Sequence, residues 1–168
     1  KIVRLQLEDL SCRTITAESI FINTGARPHI PDLKGLQSIS YLTSTTLLDL
    51  AILPKRLLII GGGYVALEFP QIFQPMGSHV TIVDRSARLL QHEDKDVALE
   101  LTKILEAEGV HVILDAHINE ITARGDDRVD IELLAAGKPV NVSGTHCMNA
   151  TGRTPNTKDL DLSKTGVE

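Results

Sequence analysis

A run of four apolar residues that leads directly into three glycines restricts the fold of this chain more than any other feature. Leu57 to Ile60 contains no polar residue, which is typical of a parallel strand covered on both faces. Gly61 and Gly63 then fill the first two positions of a G-x-G-x-x-G/A pattern, and Ala66 fills the third. This spacing predicts a strand, a tight turn and a helix start whose free N–H groups bind a diphosphate.

The residues after the glycines favour a dinucleotide site over a plain turn. His79 to Val83 is predicted to be the next strand, and Asp84 follows it, 21 positions after Gly63. An acid at this place accepts hydrogen bonds from an adenosine ribose. The intervening helix contains Pro70 and Pro75, and because an interior proline removes a backbone hydrogen bond, we expect this helix to be kinked or short.

The remaining patterns predict an α/β fold, namely a Rossmann-like parallel sheet with helices on both faces plus an antiparallel β-meander. An apolar stripe predicts a second helix, with Val97, Leu101, Ile104 and Leu105 facing the core. Further strands are predicted at 110–114, 118–123, 129–134, 140–142 and 146–150, with a turn at Gly125-Asp126-Asp127.

Before the apolar strand at 57–60, the sequence pattern of secondary structure is less regular. Residues 2–7 and 19–22 are predicted to be short strands, joined by a turn at 9–12. The prolines and small polar residues of 28–46 predict a crossing segment with little core of its own, followed by a short helix over 47–50 capped by Thr45 or Thr46.

Composition excludes several classes of function. The net charge of −5, the absence of Trp and the presence of only five aromatic residues argue against a nucleic-acid partner. No apolar run approaches membrane-spanning length, and no pair of histidines has metal-ligand spacing, so we expect neither a membrane segment nor a metal site. Cys12 and Cys147 form no close pair, which predicts buried or half-buried thiols in a reducing, cytoplasmic compartment.

Three motifs resemble those of the FAD-dependent pyridine nucleotide-disulfide oxidoreductases, the family of glutathione reductase, dihydrolipoamide dehydrogenase and mercuric reductase. They are Thr24-Gly25-Ala26-Arg27-Pro28, the glycine segment 61–68, and Ala150-Thr151-Gly152-Arg153-Thr154-Pro155-Asn156. Their order and separation are specific, and together they extend over nearly the whole chain.

The resemblance implies a division into three parts, in which partial FAD-domain segments flank the nucleotide domain. Residues 1–45 would be the end of the first FAD-domain portion and the crossing, 46–150 the NAD(P)H-binding domain, and 151–168 the return into the FAD domain. The family's FAD glycine motif, its C-x-x-x-x-C disulfide and its dimerisation domain have no counterpart here. We therefore expect a fragment without catalytic residues of its own, whose full-length form is a homodimer containing FAD.

The resemblance also assigns roles within the glycine segment. The residues that would cradle the diphosphate are Gly61, Gly62, Gly63, Val65 and Ala66. Tyr64 resembles the aromatic residue that covers the flavin and moves when NAD(P)H enters, and Glu68 resembles the acid that contacts the nicotinamide end. An exposed tyrosine and a solvated acid at a helix start would give the same pattern.

Outside that segment, the resemblance assigns five further positions. Ile118 would form an apolar wall for adenine, although an ordinary strand-core residue would look identical. Gly152 would let the nicotinamide lie close to the backbone, and Arg153 would lie near the flavin. Thr24 and Gly25 would line the crossing, where ordinary turn chemistry is an equally good explanation.

The choice between the two nicotinamide cofactors depends on one acid and two arginines. Asp84 favours NADH, because a carboxylate accepts hydrogen bonds from ribose hydroxyls and repels a 2′-phosphate. Arg85 and Arg88 lie where NADP-using relatives have phosphate-binding arginines. We favour NADH.

The resulting function is the NAD(P)H-binding part of a flavoprotein oxidoreductase. The full-length protein would pass a hydride from NAD(P)H to FAD and on to a disulfide, a metal ion or another acceptor. Two alternatives remain open: a stand-alone dinucleotide-binding or sensing module without catalysis, and a structural α/β domain whose glycine turn binds nothing.

Overall fold

The computed structural model describes residues 1–125 and 128–166. Asp126 and Asp127 of the predicted turn, and the last two residues of the predicted return segment, lie outside this description. The chain divides into two compact units, one formed by Lys1–Ala26 with Pro155–Glu168 and the other by Arg27–Thr154. Residues 27–45 thus belong to the second unit, while the three-part domain assignment stays a prediction about the full-length protein.

The described elements follow one another along the chain. They are β1 (Ile2–Gln6), β2 (Cys12–Thr16), β3 (Ala26–Pro28), α1 (Ser44–Leu48), β4 (Arg56–Ile60), α2 (Tyr64–Phe73), β5 (His79–Val83), α3 (Lys95–Ala107), β6 (His111–Ile113), β7 (Ala116–Ala123), β8 (Val129–Ala135), β9 (Lys138–Gly144), β10 (His146–Asn149) and β11 (Arg153–Pro155), with 3-10 turns at Leu36–Ser38 and Leu162–Lys164.

A parallel four-stranded sheet of order β10-β4-β5-β6 forms the centre of the larger unit. Strand β4 is apolar on both faces, as the sequence predicts, and its alternate residues enter two separate cores. Leu57 and Ile59 pack with α1, α2 and α3 on one face. Leu58 and Ile60 pack with the meander β7-β8-β9 on the other. The α/β class with a parallel sheet and a meander is therefore confirmed.

The prediction of helices on both faces is wrong, because the three helices share one face and the meander covers the other. The chain moves from β4 to β5 and on to β6 in one direction, and right-handed crossovers in one direction put both helices on one side. The return from β6 to β10 runs the opposite way and therefore crosses the other face. Here that crossover is made of strands instead of a helix.

The two long helices differ in detail from their patterns. Helix α2 ends at Phe73, so Pro70 lies inside it and Pro75 beyond it, which matches the expectation of a short helix. In α3 the buried residues are Ala98 and Leu105. Val97 and Ile104, which the pattern placed in the core, are 55% and 48% exposed, because α3 lies at the edge of the sheet beside β6 and buries only a narrow stripe.

The amino-terminal part also departs from the predictions. The strand after the first turn is β2, which begins at Cys12, and residues 19–22 are irregular. Cys12 is exposed, like the other four residues of β2. The prediction of a buried or half-buried thiol is therefore wrong for Cys12. Helix α1 begins earlier than predicted, and its cap is Thr43, whose side chain accepts from the N–H of Thr46.

The crossing segment contributes to the core more than its composition suggests. Leu36 and Ile39 are 0% and 8% exposed and pack against the meander-side core. Leu42 extends the parallel sheet beyond β10, since its N–H donates to Cys147 O at 2.7 Å and its carbonyl accepts from Asn149 N at 2.8 Å. This segment therefore runs along one edge of the larger unit.

Candidate functional site

A cavity of about 450 Å³ lies at the carboxyl ends of β4, β5 and β10. Strand order reverses between β4 and β10, because the chain moves from β4 toward β6 and then returns to the opposite side. Ligands of open α/β sheets bind at such a switch point. The volume is within the range of about 300–1,000 Å³ that is usual for small-molecule sites.

Two of the three glycines are required by close packing. Gly61 has φ +118°, and a Cβ there would lie 2.4 Å from Ala150 O. A Cβ at Gly62 would lie 2.9 Å from the carboxyl carbon of Asp84 and 3.0 Å from a methyl of Leu89. A side chain at Gly61 would collide with the backbone after β10, and one at Gly62 would displace the side chains of Asp84 and Leu89.

The third glycine faces open space. A Cβ built on Gly63 meets no described atom within 4 Å, and its φ of −83° is available to any residue. Gly63 is also the N-cap of α2, which has no capping side chain. The first N–H groups of a helix have no partners within it, so this helix end offers hydrogen-bond donors and a partial positive charge to the cavity.

Asp84 lies across the turn from these donors and lines the same cavity. Its Oδ1 accepts from Ser86 N at 2.7 Å, which fixes the orientation of the carboxylate. Its backbone is held as well, with the N–H donating to Ile113 O and the carbonyl accepting from Ala116 N. The acid is thus placed at the cavity in one orientation, as a ribose-binding carboxylate must be.

The cavity is more basic than the chain as a whole. Asp84 is the one carboxylate among its described lining residues, against two arginines, Arg85 and Arg88. Nη2 of Arg88 donates to Gln91 O at 2.7 Å, whereas Nη1 is buried with no partner among the described residues. A buried guanidinium nitrogen without an acceptor is costly unless a ligand supplies one.

A second cavity of about 320 Å³ shares three residues with the first, namely Gly63, Ala150 and Gly152. The predicted site residues Tyr64, Val65 and Arg153 line it. Tyr64 is 67% exposed, so its ring is free of core packing. The helix start therefore borders two adjacent cavities, and Gly63 lines both of them.

The structure brings most of the predicted site residues together, but not all. Gly61, Gly62, Gly63, Asp84, Arg85, Ile118 and Gly152 line the larger cavity. Ala66 is fully buried under the turn and packs in the helix-side core. Glu68 is exposed on α2 and lines neither cavity.

Thr24 and Gly25 belong to the smaller unit and also line neither cavity. The hydroxyl of Thr24 donates to Asn156 O at 2.8 Å, and Gly25 O accepts from Asn156 N at 3.0 Å. Their described contacts are those of a turn that ties the two T-G segments together.

Sequence reasoning missed part of the cavity lining. The missed residues with polar side chains are His29, Ser86, Gln91, His92, His117 and Thr151. Ser86, Gln91 and His92 follow Asp84 closely, so their position after the second strand was a usable signal. His29 had none, because it is 120 residues from Asn149, whose side chain holds it.

The described residues contain no group of three or more His, Cys, Asp or Glu side chains that could hold a metal ion. Within the same described residues, no helix has the length and apolar character needed to cross a membrane.

The family model described as pyridine nucleotide-disulphide oxidoreductase matches residues 1–168. The chain belongs to the pyridine nucleotide-disulphide oxidoreductase family. The relatives include a mercuric reductase of Lysinibacillus sphaericus, 35% identical over 168 residues that make up 100% of this chain and 31% of that protein. A glutathione reductase of Pisum sativum is 32% identical over 100% of this chain and 30% of its own length. The chain thus spans about a third of the length of these curated relatives.

Solved structures of family members have the same fold. The flavoprotein disulfide reductase RclA from Escherichia coli matches with a TM-score of 0.78 and 32% identity, covering 98% of this chain and 37% of that one. LpdA from Mycobacterium tuberculosis matches with a TM-score of 0.80 and 28% identity, covering 99% and 36%. The recognition of the family from its three motifs is therefore confirmed.

Proposed function

We propose that this chain is the NAD(P)H-binding part of a flavoprotein oxidoreductase, with NADH as the favoured nucleotide. The observation that carries the proposal is one cavity at the switch point, lined by a glycine turn, an uncapped helix start and an oriented carboxylate. A diphosphate requires the first two of these features, and an adenosine ribose requires the third.

The residues present fit a dinucleotide. The space in front of Gly63 is open, so a diphosphate oxygen can approach the first N–H groups of α2. Arg88 Nη1 is a buried donor that lacks an acceptor among the described residues. The adenosine half would then lie over β5, with Asp84 at its ribose and Ile118 beside its base.

The role of the chain in the reaction is to bind and orient. When bound, the nicotinamide and the flavin supply the hydride chemistry. Tyr64 and Val65 line the second cavity next to the helix start, where they would enclose the nicotinamide end. Gly152 and Arg153 line the same cavity and would set the distance to the flavin of the full-length protein. That protein would pass electrons from the flavin on to a disulfide, a metal ion or another acceptor.

The partners of this chain would include the FAD-binding and dimerisation segments of its own full-length protein. Among the described residues of the smaller unit, none is buried. Its apolar side chains include Ile2 and Phe21, which are 73% and 91% exposed. Such exposure supports a contact with further polypeptide. A cytoplasmic location and a homodimer belong to the same proposal.

The sharpest test of the proposed function is whether Asp84 makes the protein prefer NADH over NADPH. Replacing Asp84 with alanine removes charge-assisted hydrogen bonds to the ribose, which are worth about 1.5–3 kcal/mol, so NADH affinity should fall about tenfold or more. NADPH affinity should fall less or rise, because the repulsion of a 2′-phosphate is lost. The measurement is calorimetric titration of the full-length protein with each nucleotide.

A matched control is Asp96→Ala, which removes an exposed acid in the first turn of α3 that lines neither cavity. An unchanged ratio of NADH to NADPH affinity in Asp84→Ala would contradict the assignment of Asp84. Absence of flavin from the purified full-length protein would instead favour a sensing module without catalysis.

A further inference from the structure

The buried side-chain amide of Asn149 connects the crossing segment 28–46 to the end of β10, next to the larger cavity. Asn149, the last residue of β10, is 3% exposed. Its Nδ2 donates to His29 O at 2.7 Å. Its Oδ1 accepts from the N–H and the hydroxyl of Thr151, at 3.2 and 2.8 Å. A flipped amide would place its NH2 against the Thr151 N–H and its oxygen against His29 O, so these two backbone partners fix its orientation.

This amide holds His29 from one side, and Gly152 holds it from the other. The His29 N–H donates to Gly152 O at 2.9 Å, so one backbone group of His29 is bonded to the last residue of β10 and the other to the segment that follows it. The imidazole Nδ1 lies 3.4 Å from the hydroxyl of Thr154, at the outer limit of a hydrogen bond. Nε2 has no partner among the described residues, and His29 lines the larger cavity.

The topology indicates which half of a dinucleotide this residue meets. The strand order places β5, with Asp84 at its end, on one side of β4 and places β10 on the other. If Asp84 holds the adenosine ribose and the β4 turn holds the diphosphate, the remaining ribose and base extend over the end of β10. His29 is bonded to that end.

We propose that His29 is a further cofactor-binding residue, whose imidazole donates a hydrogen bond to the nicotinamide-side ribose or its phosphate, and that Asn149 is the residue that positions it. The proposal rests on the dinucleotide function proposed above, and it adds a contact outside the glycine turn. Both groups are acceptors of the same kind, since each offers oxygen atoms to an N–H donor.

Ligands of increasing length separate the two halves of the site. AMP reaches only the adenosine half, whereas ADP-ribose adds the second phosphate and the second ribose. His29→Ala in the full-length protein should leave AMP affinity unchanged and weaken both ADP-ribose and NADH about fivefold, the net worth of one neutral hydrogen bond. His29→Gln, which keeps an N–H donor, should recover part of this loss. His111→Ala, an exposed histidine at the opposite end of the sheet, is the matched control.

A double-mutant cycle tests the positioning role of Asn149. Asn149→Asp removes the donor to His29 O and keeps the acceptor for Thr151. If Asn149 acts through His29, this variant should weaken ADP-ribose but not AMP, and it should have little further effect once His29 is alanine. Additive losses would show that Asn149 acts through another group.

The outcomes are distinguishable. If the wild-type protein binds AMP and NADH but His29→Ala changes both affinities equally or neither, the proposal for His29 is wrong and the dinucleotide site stands. If the wild-type protein binds none of the three ligands, the dinucleotide function itself is wrong. Circular dichroism and urea unfolding of each variant establish that the affinities refer to folded protein.

Discussion

The open space in front of Gly63 gives the most decisive prediction about the site. Gly63→Ala adds a methyl group that meets no described atom within 4 Å, at a φ of −83° that alanine adopts freely. Alanine is a poorer N-cap than glycine, by roughly half a kcal/mol. Alanine also lowers the conformational entropy of the unfolded chain relative to glycine, and this stabilises the folded state by about 0.4–1 kcal/mol. The two effects nearly cancel, so the free energy of unfolding should change by less than about 0.5 kcal/mol.

The same methyl should weaken cofactor binding. If the diphosphate binds as proposed, the methyl occupies the place from which a phosphate oxygen approaches the helix start, and forcing one extra methyl into a packed contact costs about 1–3 kcal/mol. NADH affinity should therefore fall between about fivefold and a hundredfold. Calorimetric titration of the full-length variant measures this loss, and urea unfolding measures stability on the same sample.

Gly61→Ala is the contrasting variant, because its methyl would lie 2.4 Å from Ala150 O at a φ of +118°. Backbone strain of about 1–3 kcal/mol and overpacking of similar size predict a loss of several kcal/mol of stability. Gly63→Ala should thus lose binding and keep stability, whereas Gly61→Ala should lose stability. If Gly63→Ala binds NADH as tightly as the wild type, the diphosphate does not lie on this turn and our reasoning is refuted.

Two further predictions concern groups away from the cavity. Gln74→Ala leaves the Val80 N–H, which donates to Gln74 Oε1 at 3.0 Å, without a partner in the core, so unfolding should become easier by about 1–3 kcal/mol in urea. The control is Gln71→Ala, because among the described residues the exposed side chain of Gln71 bonds only to Leu67 O of its own helix. This variant should change stability far less, and equal losses would contradict the argument. Burial raises the pKa of the Cys147 thiol to about 12, so this group stays protonated at pH 8 and should resist iodoacetamide until urea unfolds the protein. The exposed Cys12 is the internal standard, and equal labelling of both cysteines in the native protein would show that Cys147 is accessible.

Local sequence patterns predicted the structure correctly where the contacting residues are close in sequence. The β4 turn, the helix start and the acid after β5 lie within 29 residues, from Arg56 to Asp84, and each was predicted from spacing alone. Gly61 and Gly62 lie where a Cβ would meet neighbouring residues of the chain, whereas the space beside Gly63 is open and is where we propose that a diphosphate binds. A sequence pattern shows all three as the same residue and does not separate these causes.

Sequence patterns gave the wrong burial for residues whose exposure depends on which other part of the chain packs against their helix or segment. The stripe of α3 predicted that Val97 and Ile104 face the core, but an edge helix buries fewer residues than a central one, and periodicity carries no information about that position. Leu36 was assigned to a crossing segment with little core of its own, yet it is fully buried against the meander. In both cases the partner surface was formed by residues distant in the chain.

Spacing along the chain predicted the strand, the glycine turn, the helix start and the acid after β5, and it identified the family, because these are local features that few other structures need. Which face the helices cover and which residues complete the cavity depend on the folded chain, since the handedness of successive crossovers sets the first and contacts between distant segments set the second. His29 reaches that cavity because Asn149, 120 residues later, holds its backbone. A contact between two such distant polar residues is created by folding, and no local spacing records it.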